Sequence, residues 1–220
     1  MEELLVNHFK DLLSEPPKNR TEAIQRISQH IPHKVTQDQN LVLMREATLE
    51  EVEEIVKGMK KNKALGPDGF TAKFYQATWH FMGCEILEVM EESWRNQKVC
   101  PSLNSTFITL IPKTSKSKDP QGFRPISLCV VIYKITSTLI VKRLKPILPN
   151  IISPKQTGFV EGRQILDGLV TSQEVVHALK AKKLARMMIK LDLSKAYDRL
   201  SWEYLKSILR AYGFNHGWIN

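Results

Sequence analysis

Cysteine is scarce in this 220-residue chain: Cys84, Cys100 and Cys129 are the three present, with no C-x-x-C spacing. An odd number of dispersed thiols excludes a disulfide-framed small domain and a thiolate zinc site, and fits a reducing compartment. The six histidines are scattered and H-E-x-x-H does not occur, which removes the usual helical zinc-hydrolase arrangement. No apolar run reaches the roughly eighteen residues that a membrane-crossing helix needs. Residues 1–10 have no basic flank, apolar stretch or small-residue cleavage site, so a secretory leader is not expected there and the protein is expected to be intracellular. Internal repeats and low-complexity tracts are absent, and so is any Asp-Asp dipeptide.

Apolar content of 42% and charged content of 25% are those of a globular chain, and the length allows one or two domains with a real core. The net charge of +9 is unevenly placed. Residues 1–100 hold 13 Lys and Arg against 16 Asp and Glu, a net of −3; residues 101–220 hold 19 against 7, a net of +12. A basic half beside a near-neutral half points to a polyanionic partner, with a solvated lysine-rich face as the alternative.

Hydrophobic spacing predicts the elements. Leu4, Leu5, Phe9, Leu12 and Leu13 share one face of a helix over 1–14, which Pro16 and Pro17 terminate. Residues 15–45 read as a linker or short helices. Thr48 and Glu51 form a capping box that opens a helix to about Lys60, with Val52, Ile55, Val56 and Met59 as its stripe. Gly66-Pro67-Asp68-Gly69 is a turn, followed by an aromatic-rich helix over Thr71–Gln97. At Ser105 the period changes: Thr106–Ile111 reads as a strand, and Ile126–Cys129 as a short one. A helix is expected over Ile132–Leu148, an irregular stretch over 153–165, a helix over Leu166–Lys182 and a strand over Met187–Leu193. Trp202, Leu205, Leu209 and Tyr212 make one face of a last helix. This mixture is α+β, mostly helical with a few strands.

The end of the predicted strand is the place for chemistry. An apolar strand that delivers Asp192 is a rigid mount for a carboxylate, and hard Mg²⁺ takes a few oxygens together with substrate phosphates. By itself an Asp at a strand end is more often a turn or cap residue. Asp198 fits that description, as the cap of a helix beginning near Arg199.

Five motifs in series carry more weight than any one. They are Lys63 to Phe70 (KALGPDGF), Leu110 to Lys113 (LIPK), Phe123 to Cys129 (FRPISLC) with Tyr133 and Lys134, Ser153 to Phe159 (SPKQTGF) with Gly162 and Arg163, and Leu191 to Asp198 (LDLSKAYD). In this order and spacing the chain, over roughly 45–220, resembles the reverse transcriptases of non-LTR retrotransposons, most closely the long-interspersed elements of plants. The resemblance implies the fingers and an incomplete palm of a right-handed polymerase. It divides the chain into an N-terminal helix and linker (1–45), an N-terminal extension (46–104), and fingers with the start of the palm (105–220).

By motif position, Asp192 is the first palm aspartate, and with the backbone carbonyl of Leu193 it would hold catalytic Mg²⁺, two ions in the complete family enzyme. Tyr197 falls where the family places a ring beneath the incoming sugar, favouring deoxynucleotides. Lys113 and Arg124 match the residues that grip the triphosphate, as a mobile point charge and a planar fork suit phosphate. Gln156, Phe159 and Arg163 fall in a template-side segment. The implied partners are an RNA template, a DNA primer and deoxynucleoside triphosphates, with no membrane and no disulfide partner, and the family implies access to the nucleus.

Departures from the family pattern are Leu65 for a proline, Val130 for an asparagine, and Thr157-Gly158 for Ser-Ala. Neither the later Gly/Gln-rich motif nor the paired-aspartate hairpin occurs in these residues, so the chain is expected to be the front part of the domain and inactive as given. A non-catalytic nucleic-acid-binding remnant or pseudogene product is the alternative.

Overall fold

The computed structural model describes residues 2–14, 20–115, 117, 119–182, 187–192 and 196–219. Ten helices and one two-stranded sheet are assigned among them. In order they are α1 (Glu2–Leu13), α2 (Thr21–Ser28), α3 (Gln37–Met44), α4 (Leu49–Gly58), α5 (Ala72–Arg95), β1 (Thr106–Pro112), β2 (Phe123–Cys129), α6 (Val131–Leu144), α7 (Leu148–Ile151), α8 (Ile165–Ala181), α9 (Trp202–Tyr212) and α10 (His216–Ile219).

The first core is a three-helix contact. Val52, Ile55 and Val56 of α4, Tyr75, Ile86 and Met90 of α5, and Val131, Ile135 and Leu139 of α6 are all buried together. Local chemistry starts each of the first two helices. Thr48 Oγ1 accepts the Glu51 N–H at 3.3 Å while Glu51 reaches back to the Thr48 N–H at 3.3 Å, the expected capping box. Thr71 caps α5 by accepting from the Phe74 N–H at 3.2 Å.

Glu51 then does a second job. Arg143 of α6, buried at 6% exposure, donates to its carboxylate at 2.9 Å, to the Glu46 carbonyl at 2.9 Å and to the Arg45 carbonyl. One guanidinium therefore ties α6 to the segment that enters α4.

Between α4 and α5 the Gly66–Gly69 turn docks on the protein rather than standing off it. A Cβ on Gly66 would lie 2.7 Å from the Cys129 carbonyl oxygen and from the backbone of Val130. Burial, together with the charge of the nearby Asp68 carboxylate, pushes the Tyr75 phenol up to about 12. Because the folded pKa lies above the unfolded one, this contribution to stability is complete below about pH 10 and disappears as pH rises toward 12. A series of melts from neutral to alkaline pH should thus show a steeper decline in wild type than in Tyr75→Phe. Parallel curves for the two proteins would refute the linkage.

The second core lies elsewhere. Val35 and Leu43, Ile147 and Ile151, and Phe214 and Ile219 are buried together, packed by Leu144, Leu209 and Tyr212 among others. The described residues 20–45 thus contain two short helices, and α3 has its own capping box between Thr36 and Gln39. Hydrogen bonds close the arrangement: the backbone Lys34 and Val35 N–H groups donate to the Tyr212 carbonyl, at 3.0 and 2.9 Å, and the Asn40 side-chain amide donates to the Gly213 carbonyl at 2.8 Å.

Three expectations need correction. The helix expected over Ile132–Leu148 is interrupted after Leu144, because Pro146 has no N–H to continue the ladder, and it restarts as α7. Residues 187–192 are not a strand: they are exposed coil, with Met187 at 83%, Ile189 at 70% and Leu191 at 85% exposure. A strand exists through its ladder, and the sheet of the described residues contains β1 and β2 alone. Asp198 is not a helix cap. It sits inside a 3₁₀ turn, Tyr197–Arg199, and α9 is capped by Ser201, whose hydroxyl accepts the Tyr204 N–H at 3.3 Å.

Candidate functional site

β1 and β2 pair antiparallel with Ile111 opposite Arg124 and Pro112 opposite Phe123. Directly opposed residues share a face, and side chains alternate along each strand. Ile111 and Lys113 therefore lie on the face that Arg124 shares. Lys113 continues the register beyond the strand end, its N–H donating to the Gly122 carbonyl at 2.7 Å. Lys113 and Arg124 are accordingly diagonal neighbours on one side of the ribbon, and both are exposed. Lys113 Nζ donates to the Gln121 carbonyl at 2.8 Å.

Asp192 is exposed at the end of the coil segment 187–192, and Leu193 lies outside the described residues. Five residues on from Asp192, Tyr197 opens the 3₁₀ turn with its ring 82% exposed. The structure brings Tyr197 together with Phe159: their ring centroids are 6.3 Å apart and their planes 89° to each other, an edge-to-face contact. Phe159 is 91% exposed and has a φ of 63°, in the left-handed region that bulky residues avoid.

Gln156 is exposed, with its side-chain amide donating to the Gly158 carbonyl at 3.5 Å. Arg163 turns inward on its own loop, where its guanidinium donates to four backbone carbonyls. Two groups of the sequence reading are thus assembled by the fold, Lys113 with Arg124 and Phe159 with Tyr197.

Sequence reasoning missed α1 as a neighbour of this region. The helix packs against both the Pro120–Gly122 turn, which precedes Arg124, and the Tyr197–Arg199 turn. Its C-terminal end, with Arg20, Tyr197, Arg199 and Trp202, borders a groove of about 760 Å³. Nothing in a single sequence signals such a long-range contact; only the amphipathic spacing of α1 announced that it had a partner.

Among the described residues no group of three or more His, Cys, Asp or Glu side chains stands close enough to share a metal ion. Asp192 fits as one hard oxygen ligand of the several that Mg²⁺ requires, and no more than that. No helix of the described residues is long and apolar enough to cross a membrane.

Comparison with known proteins gives this geometry its context. The profile of the family described as "Reverse transcriptase (RNA-dependent DNA polymerase)" matches residues 111–220. A protein of transposon TX1 from Xenopus laevis is 32% identical over 167 residues, covering 76% of this chain and 13% of its own length. The Pol polyprotein of a type-1 element R1 from Bradysia coprophila is 30% identical, covering 70% of this chain and 15% of its own. That of element R2DM from Drosophila melanogaster is 28% identical over 70% of this chain and 14% of its own length. The chain thus spans between about an eighth and a seventh of these relatives. It belongs to the reverse transcriptase family, as part of the reverse transcriptase domain of a non-LTR retrotransposon.

Proposed function

We propose that this chain forms the fingers and the beginning of the palm of a right-handed RNA-directed DNA polymerase. Its partners are then an RNA template, a DNA primer and deoxynucleoside triphosphates, and the family implies access to the nucleus. The observation that carries this is the shared ribbon face of Lys113 and Arg124, within the region that matches the family. Two cations of different shape on one rigid face suit a triphosphate: Arg offers a planar fork and Lys a movable charge.

Each remaining residue has a role that its chemistry allows. Asp192 and the Leu193 carbonyl are the oxygen ligands this chain offers to the two magnesium ions of the family enzyme. When bound, those ions supply Lewis-acid stabilisation at the attacking hydroxyl and the departing pyrophosphate. The exposed Tyr197 ring crowds the 2′ position of the incoming sugar and favours a deoxynucleotide. The loop with Gln156, Phe159 and Arg163 lies on the template side. The likeness to plant elements rests on the motifs alone.

One carboxylate cannot hold two ions beside a polyanionic nucleotide, so the 220-residue protein is expected to show no template-dependent primer extension with Mg²⁺. Magnesium-dependent binding of a deoxynucleoside triphosphate is expected to survive, and to be lost in Asp192→Ala. Lys113→Ala and Arg124→Ala should each weaken it about 10- to 100-fold, through one lost charge-assisted contact. Calorimetry on the four proteins decides. Clear primer extension would overturn the expected inactivity. Binding that follows salt and the two cations but ignores Asp192 would instead identify a nucleic-acid-binding remnant, a reading that the solvent-exposed coil position of Asp192 keeps in play.

A further inference from the structure

The loop between α7 and α8 is held by one side chain. Arg163 Nη1 donates to the carbonyls of Ser153 at 2.5 Å and Gln156 at 2.7 Å, and Nη2 donates to those of Pro149 at 3.1 Å and Ile152 at 3.2 Å. Pro149 and Ile152 lie at the end of α7, where carbonyls lack helical partners, and the guanidinium serves both. Only its planar set of donors can address four carbonyls at once; an ammonium group has three donors on one atom. Buried Ile151 and Val160 pin the loop from beneath.

What this bracket presents is Phe159. The residue takes a left-handed backbone conformation that a phenylalanine adopts only under constraint, and its ring gains almost no burial in return. Strain without internal packing indicates that the ring is aimed at something outside the chain. Among the described residues its ring meets that of Tyr197, edge to face.

We infer that Arg163 is a positioning residue, which shapes the 149–163 loop so that Phe159 stands beside Tyr197 as a stacking surface for an unpaired base of single-stranded nucleic acid. This rests on the template-side reading above and deepens it. An exposed aromatic face suits any base, because every base has a π-surface. The Arg163 guanidinium, occupied by the loop, makes no phosphate contact of its own.

The test uses the 220-residue protein and a labelled single-stranded oligouridylate, titrated across a salt series. Phe159→Ala is expected to weaken binding about tenfold, and Phe159→Trp to retain it. Arg163→Lys and Arg163→Gln should weaken it equally, with an unchanged slope of log affinity against log salt, since no phosphate contact is removed. Wild-type affinity in Arg163→Lys, or a slope reduced by roughly 0.7 in Arg163→Gln, would show a direct phosphate contact and overturn the positioning role. So would equal binding by wild type and Phe159→Ala overturn the stacking surface.

Hydrogen exchange over residues 149–163 gives a second readout that requires no ligand. Both Arg163 variants should exchange about tenfold faster there, and Phe159→Ala at the wild-type rate. If wild type binds no oligonucleotide, the template-side reading and the stacking surface fall together. Unchanged exchange in the Arg163 variants overturns the clamp whatever the binding result.

Discussion

Replacing Arg143 by alanine is expected to destabilise the protein by about 3–5 kcal/mol, the usual cost of removing one partner of a buried ion pair. Its side chain is 5% exposed and its partner Glu51 19% exposed, so water cannot readily replace the lost donors. Three acceptors lose their partner in one step: the Glu51 carboxylate and the carbonyls of Arg45 and Glu46. Glu51 retains the more exposed Arg45 at 2.6 Å and the Thr48 N–H, which softens the loss without cancelling it.

Arg143→Lys should recover little, because an ammonium group cannot span two carbonyls and a carboxylate. Urea denaturation checks this: the midpoint should fall with the m-value unchanged. A loss below about 1 kcal/mol would mean that the pair behaves as a surface contact.

The same pair sets a pH response. Burial pushes the Glu51 carboxyl up, but the hydrogen bond and charge of Arg143, the Thr48 N–H and Arg45 outweigh it, and the net shift is downward. With the folded pKa depressed, the stabilisation is present above about 4.5 and fades as pH falls through the folded value. Arg143→Ala should be correspondingly less sensitive to acid.

Gly66→Val should be the next most damaging change, at about 1–3 kcal/mol. Its first added atom meets the Cys129 carbonyl and the Val130 backbone at 2.7 Å, and none of these can rotate aside. The turn also keeps its own shape, with the Gly69 N–H donating to the Gly66 carbonyl at 3.1 Å. The displaced partner is the joint between β2, which carries Arg124, and α6, so the proposed nucleotide binding should weaken along with stability.

Gly69→Ala is a useful contrast. A Cβ there meets nothing, yet its φ of 73° disfavours any side chain, and about 1 kcal/mol is expected. A drop in Tm of several degrees for Gly66→Val, exceeding that for Gly69→Ala, is the result to look for. Equal shifts would show that the turn yields rather than clashes.

Features decided by neighbouring residues were legible in advance. The Thr48 capping box, the long helix after Thr71 and the strand at Thr106 depend on local spacing and appear where expected. β2 begins at Phe123, earlier than its apolar pattern suggested, because Pro125 masks the start; a two-stranded ribbon has free edges on both strands and tolerates it. α3 carried a readable signal in Thr36 and Gln39 that the polar composition of 15–45 obscured.

Features decided by distant partners were not legible. The segment 187–192 has the composition of a strand, and composition does not supply a neighbour to pair with. That the Arg163 guanidinium binds its own loop could not be read, because its acceptors are backbone carbonyls, which leave no trace in residue identity. The meeting of Phe159 with Tyr197 was unreadable for the same reason, though both residues had been singled out by motif.

The linkage of Lys34, Val35 and Asn40 to Tyr212 and Gly213 makes the molecule a closed circuit, with its early and late segments zipped to each other. A shortened protein beginning at residue 45 would therefore be injured at the opposite end of its sequence. Val35 and Leu43 would leave a hollow against Ile147, Ile151, Phe214 and Ile219, and α9 would lose its backbone tether. Tyr197 lies one turn ahead of that helix, so trimming the front of the chain would blur the placement of a ring far downstream.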